Sequence, residues 1–174
     1  MTDPEILARL QRLEDEHAIA KIIASYGPSV DAGNADNASK LWALDGTYDV
    51  EGWQMNGRRD VRAMVKSRSH QELVARGCCH FLGPAVVSVN GDSAVAVCES
   101  LVLLRDSDDE KAYRVWRATA NHFALARVAG EWQITSRTSR VLDGHPYAHA
   151  VLDAGLAGEP APAAPIAADT EDLA

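Results

Sequence analysis

The sequence predicts an α+β domain, with helices packed on an antiparallel sheet, and three observations carry that expectation. Apolar residues recur at helical spacing in the first part of the chain. From about residue 80 the pattern becomes that of strands. Asn90-Gly91 and Ala129-Gly130 then divide this second part into strand pairs. Helices first and antiparallel strands afterwards is the α+β order, because each layer must bury its apolar face on the other.

Each element has a local reason. Ile6, Leu7, Leu10 and Leu13, then Ile19, Ile22, Ile23 and Tyr26, place helix over residues 4–26, with an apolar stripe for a core. Asp15 is positioned to cap a second helical segment, with Glu16 beside the positive end of its dipole. Gly27-Pro28 predicts a kink or break, since proline removes a helical hydrogen bond and crowds the preceding turn. Asn34 then caps a short helix that carries Leu41, Trp42 and Leu44. Gly46 to Met55 alternates as a strand, and Asn56-Gly57 signals a turn.

Asp60 caps a helix expected to run to about Ala75, with Val61, Met64, Val65 and Leu73 on one side. Arg58, Arg59, Arg62, Lys66, Arg68 and Arg76 occupy the other side, which reads as a solvated face. His80–Val89 and Ser93–Leu104 form a hairpin across Asn90-Gly91. Asp106 to Glu110 is a charged loop. Ala112–Arg127 and Glu131–Val141 make the last strand pair. The domain is therefore drawn at residues 1–152. Residues 153–174, rich in Ala and Pro and without apolar periodicity, are expected to be a disordered acidic tail.

The 174 residues carry 17 basic and 25 acidic groups, a net charge of −8, and the distribution is uneven. No Lys or Arg follows Arg140, whereas Asp143, Asp153, Glu159, Asp169, Glu171 and Asp172 all do. The body is near neutral and lacks the basic excess of a nucleic-acid binder. No apolar run approaches the roughly 18 residues of a membrane span. The start lacks the pattern of a secretory signal, and Cys78, Cys79 and Cys98 have no metal-type spacing, so a reducing cytoplasm is expected.

Tyr26, Asp31 and His80 are polar groups that interrupt apolar positions. A two-residue turn at Asn90-Gly91 pairs His80 with Leu101 and Leu82 with Glu99, which puts His80 and Glu99 on one apolar face. Such groups are costly to bury unless paired or functional. Each also has a plain structural role open to it: a satisfied core histidine, a capping Asp31, a Glu99 paired with arginine. Trp42, Trp116 and Trp132 read as core. His145 and His149 share a helical i,i+4 spacing without an accompanying acid, so no metal is expected there. No glycine-rich phosphate loop and no G-x-S-x-G motif is present, and no cofactor is called for.

The stretch LEDEHAIAKIIASYGPSVDAGNADNASKLWALDGTYDVEG, then NGRRDVRAMV, CHFLGPAVVSVNGDSAVA and GEWQITSR, resembles the SnoaL-like branch of the nuclear transport factor 2-like superfamily over residues 13 to 141. The resemblance implies a cone of N-terminal helices on a strongly curved antiparallel sheet, enclosing an apolar pocket. Its members include dehydratases, ketosteroid isomerase and polyketide cyclases. Tyr26, Asp31 and His80 match the acid/base group of its dehydratases. Arg137 matches a substrate-holding position and Asn121 a polar pocket residue, while Trp42 and Tyr48 match aromatic pocket positions.

These matches imply a cofactor-independent lyase, a dehydratase of a steroid-like or polyketide-like carbonyl compound. Histidine can exchange a proton near neutral pH, and a carboxylate on its other nitrogen fixes the tautomer. The alternatives are an isomerase that uses Glu99 as base, or a non-catalytic ligand-binding module. A small hydrophobic ligand and a homodimer or small homo-oligomer, built through the sheet's outer face, are the expected partners.

Overall fold

The computed structural model describes residues 2–106 and 111–164. Helix α1 (Asp3–Asp31) runs without a break through Gly27-Pro28, against expectation. Pro28 has no N–H to give, but the ladder closes again after it, where the Ala32 N–H donates to the Pro28 carbonyl at 3.0 Å. The Ser29 hydroxyl also donates to the Ser25 carbonyl at 2.7 Å. Gly27 serves packing rather than a turn. A Cβ there would overlap the His80 carbonyl oxygen, so only glycine lets the helix lie directly on the strand.

Asp15 is likewise not a cap but sits inside α1, buried at 6% exposure. Its carboxylate accepts from Trp132 Nε1 at 2.9 Å and from Arg127 Nη2 at 2.7 Å, tying α1 to the last two strands. Burial opposes its charge, but these bonds outweigh burial and hold the carboxyl below its ordinary value. Asp15→Ala would strand the buried indole N–H, and a loss of roughly 2 kcal/mol is expected in urea unfolding. The stripe N-terminal to it does not reach the core. Ile6, Leu7, Leu10 and Leu13 are all exposed along the first turns of α1.

Helix α2 (Ala35–Lys40) starts where expected, with Asn34 Oδ1 accepting from the Asn37 N–H at 3.0 Å. It ends earlier, so Trp42 and Leu44 belong to strand β1 (Trp42–Val50), which forms a hairpin with β2 (Trp53–Asn56). The turn is Glu51-Gly52, both at positive φ, and not Asn56-Gly57. Gly57 instead leads into α3 (Arg58–Lys66), and Asp60 accepts from the Asn56 N–H. The single helix expected to Ala75 is two. Ser67 is extended, and its hydroxyl caps α4 (Arg68–Arg76) by accepting from the His70 N–H. The basic side is largely paired locally, as in Arg62–Asp36 at 2.6 Å and Arg68–Glu72 at 2.7 Å.

Gly83-Pro84-Ala85 splits the next expected strand into β3 (Cys78–Leu82) and β4 (Val86–Asn90), both antiparallel to β5 (Ser93–Arg105). Strands β6 (Tyr113–Val128) and β7 (Glu131–Val141) complete a sheet ordered β2-β1-β7-β6-β5-β3. It is mixed rather than purely antiparallel, because β1 lies parallel to β7. Register shifts between Val102 and Leu103 and between Ala124 and Leu125 accompany its curvature. The core lies between α1–α3 and one sheet face, around Ile19, Ile23, Val30, Trp42, Val61, Phe123 and Ile134.

On the opposite face lies α5 (Pro146–Leu156), which crosses the boundary drawn at Leu152. His145 is its N-cap, its Nδ1 accepting from the Tyr147 N–H. Beyond α5, the Glu159 carbonyl bonds His122 at 2.8 Å, and the Pro162 carbonyl accepts from the Tyr147 hydroxyl. Asp169, Glu171 and Asp172, and most of the charged loop after Asp106, lie outside the described residues. Among the described residues no helix is long and apolar enough to cross a membrane.

Asp49, bonded to Arg140 at 2.6 Å, is a half-buried acid also held low: burial raises its carboxyl, and the guanidinium more than reverses this. Depressed folded-state values make Asp15, Asp31 and Asp49 stabilising above the unfolded aspartate value of about 3.9. That contribution is lost as pH falls through the folded values below it. The thermal midpoint is therefore expected to fall steeply below about pH 4, measurable by circular dichroism across a pH series.

Candidate active site

A cavity of about 170 Å³ opens between α1, α3 and the concave sheet face. Val50, Met55, Met64, Leu82, Leu101 and Val102 make its walls apolar, with Trp53 and Trp116 beside them. Tyr26, Tyr48, His80 and Arg137 supply polar groups, joined by the hydroxyls of Ser100, Thr119 and Ser139.

Asp31 closes the last turn of α1, and His80 is the middle residue of β3, so the Gly27 contact holds the two together. Asp31 Oδ2 accepts the His80 backbone N–H at 2.7 Å, and Oδ1 lies 2.6 Å from His80 Nδ1. Burial works against the carboxylate, but these two bonds prevail and keep Asp31 ionised, below its ordinary range. The carboxylate therefore fixes the proton on Nδ1. Nε2, on a residue lining the cavity, makes no hydrogen bond among the described residues and is the basic nitrogen.

Cys78 donates to the same Asp31 oxygen at 3.5 Å, and the three side chains form a potential ligand set. They do not suit a cation. A 2.6 Å O···N separation is a hydrogen bond, whereas donors around one divalent ion at about 2.0–2.3 Å must stand further apart. Burial and the neighbouring carboxylate also push the Cys78 thiol up to about 12, away from the thiolate that would bind metal.

Below the dyad lies an aromatic box. The Arg137 guanidinium sits 4.3 Å from the ring centre of Tyr26, 4.5 Å from Tyr48 and 5.0 Å from Phe123. Trp42 closes it from behind, edge-on to Tyr26 at 5.7 Å. Burial, then Tyr48, raises the Tyr26 hydroxyl well above its usual value, so it remains a neutral donor. Asn121 joins Arg137 to the floor. Its Oδ1 accepts from Arg137 Nη2 at 2.7 Å and Ser139 Oγ at 2.6 Å, while its Nδ2 donates to Ser100 Oγ at 2.9 Å.

The structure thus brings Tyr26, Tyr48, His80 and Arg137 onto one cavity, with Asp31 directly behind His80. Trp42 and Asn121 are fully buried supports and do not line it. Glu99 is a correction. The hairpin turns at Gly91-Asp92, with Asn90 opposite Ser93, and the corner at Gly83-Pro84 then moves the register back by one residue, so His80 pairs with Val102, Leu82 with Ser100, and Glu99 is exposed on the other face. Ser100 takes the inward position. Arg117 also lines the cavity.

Sequence reasoning missed the floor hydroxyls, Cys78 and His70. The His70 ring stacks on His80 with centroids 5.8 Å apart, and both its nitrogens are buried without a partner among the described residues. Burial, then His80, lowers its pKa and keeps it neutral. The only sequence signal was a histidine on the apolar side of the helix after Ser67.

The sequence profile of the SnoaL-like domain matches residues 11–138. The chain is similar to a nuclear transport factor 2-like protein of cystatin-like fold from Novosphingobium aromaticivorans, with 39% identity and a TM-score of 0.83. That match covers 87% of this chain and 97% of the other. It is also similar to a protein of unknown function from Mycobacterium tuberculosis, at 22% identity and TM-score 0.68, covering 84% and 85% of the two chains. A candidate scytalone dehydratase from N. aromaticivorans follows at 17% identity and TM-score 0.61, covering 75% and 85%. The last two show the fold alone. No protein with curated annotation matches in sequence.

Proposed function

We propose that this chain, which belongs to the SnoaL-like family, is a cofactor-independent lyase that removes water from a hydrophobic carbonyl compound. The observation that carries the reading is the Asp31–His80 bond at 2.6 Å on a cavity wall, with Nε2 unbonded among the described residues. His80 Nε2 takes the proton from the carbon next to the substrate carbonyl, and Asp31 stabilises the imidazolium that forms. The Tyr26 hydroxyl, kept neutral by burial, donates to the carbonyl oxygen as negative charge builds there. The electron pair then forms the carbon–carbon double bond, the β-hydroxyl leaves, and the imidazolium returns its proton to make water. Arg137 holds the substrate in place.

Isomerisation by a strand carboxylate loses its candidate base, since Glu99 is exposed on the far face. The neighbour named as a candidate scytalone dehydratase supports the lyase reading at the level of fold. The test is incubation in D2O with one-ring β-hydroxy carbonyl compounds, followed by NMR. Wild-type protein should give exchange at the α-carbon and the dehydrated product. Neither appearing above the buffer rate would sink the reading.

A further inference from the structure

We propose that the cavity's ligand is a compact carboxylate, about one ring in size, whose anionic group pairs with Arg137. This rests on reading the cavity as the substrate site, and not on the reaction assigned to it.

Arg137 is 3% exposed, and a guanidinium stays charged in a protein interior. Its Nε and Nη2 are spent on one neutral oxygen, Asn121 Oδ1, at 3.2 and 2.7 Å. That oxygen also accepts from Ser139, and the amide is held in place by its Nδ2 bond to Ser100. Nη1 is buried with no partner among the described residues, on a residue that lines the cavity. The three rings around the guanidinium favour a cation but do not neutralise it.

Nor is a counter-ion supplied by the described residues. The acids best placed to serve have other partners: Asp15 takes Arg127, Asp49 takes Arg140, and Asp31 takes His80. Arg137 forms no ion pair among the described residues. A buried cation with an unsatisfied donor is costly, and an incoming carboxylate removes both deficits at once. A neutral carbonyl would supply the hydrogen bond alone. The hydroxyls of Ser100, Thr119 and Ser139 on the same floor can complete the anion's shell.

Volume sets the size. An apolar cavity of about 150 Å³ holds one benzene ring, and this one measures about 170 Å³. Pockets for larger organic ligands run from roughly 300 Å³ upward. One ring with its substituents fits inside, and the four fused rings of a steroid would project beyond it.

Isothermal titration calorimetry on the full chain tests this with benzoate, benzamide (the same shape without charge) and cholate (a carboxylate on a four-ring body). Wild type should bind benzoate about 10- to 100-fold more tightly than benzamide, and cholate more weakly than benzoate. In Arg137→Gln, the advantage of benzoate over benzamide should disappear. Equal wild-type affinities for benzoate and benzamide overturn the proposal, as does cholate binding better than benzoate. So does benzoate binding unaltered in Arg137→Gln. Should that variant fail to fold, the wild-type comparison alone decides. Asp31→Asn should keep its benzoate affinity, so failure of the lyase reading shows in turnover and failure of the carboxylate site in binding.

Discussion

His80→Ala and Asp31→Asn are each expected to lower turnover by roughly 10²–10⁴-fold, the span of a positioned acid/base group. The two act through one bond and should not be additive. His80→Ala removes the nitrogen that carries the proton. Asp31→Asn leaves a group of nearly the same shape, but its amide cannot accept from both the His80 backbone N–H and Nδ1–H as the carboxylate does at 2.7 and 2.6 Å. An amide N–H aimed at Nδ1 moves the imidazole proton to Nε2, which can then no longer act as base. The double variant should therefore be about as slow as His80→Ala alone. Substrate affinity should change little in Asp31→Asn, because Asp31 is not among the residues lining the cavity. Steady-state kinetics with thermal melts as a folding control check this. Near-wild-type turnover in a folded Asp31→Asn would remove the dyad from the mechanism.

Much of this site was legible because it violates its surroundings. Tyr26, Asp31 and His80 stand in apolar periodicity, and polar groups there require a partner or a use. The dyad followed once the helix and the strand were seen to meet. Glu99 was misread for a reason that sequence periodicity cannot reveal. Strand faces alternate with period two, so the single-residue offset at Gly83-Pro84 exchanges Glu99 for Ser100 and turns a carboxylate wall into a hydroxyl one. The floor network has no local signature at all, since Ser100, Thr119, Asn121 and Ser139 come from three strands and meet only in register. Fold class was easier to read than element boundaries. Trp42 looked helical because α2 precedes it, and Asn56-Gly57 looked like a hairpin turn while Glu51-Gly52 made one.

Gly27 carries the second large effect, and its misreading explains why. Gly27→Ala would ordinarily favour a helix by about 0.5–1 kcal/mol. Here the new Cβ would overlap the His80 carbonyl oxygen and stand 3.2 Å from its carbon, both backbone atoms that cannot swing aside. Relief requires α1 and β3 to separate, and overpacking of this kind costs typically about 1–3 kcal/mol, so net destabilisation should win. The same separation pulls Asp31 from His80, since both dyad bonds bridge these two elements one helical turn away. Misplacing reacting groups by about an ångström can cost roughly 10²-fold in rate, although Gly27 itself touches no substrate. Gly155→Ala separates the two consequences. Its Cβ would overlap the Val97 side chain on the opposite face, where α5 packs. It should lower the melting temperature without changing turnover per folded molecule. If Gly27→Ala behaves in the same way, losing stability but no activity, the contact holds the fold together without aligning the dyad.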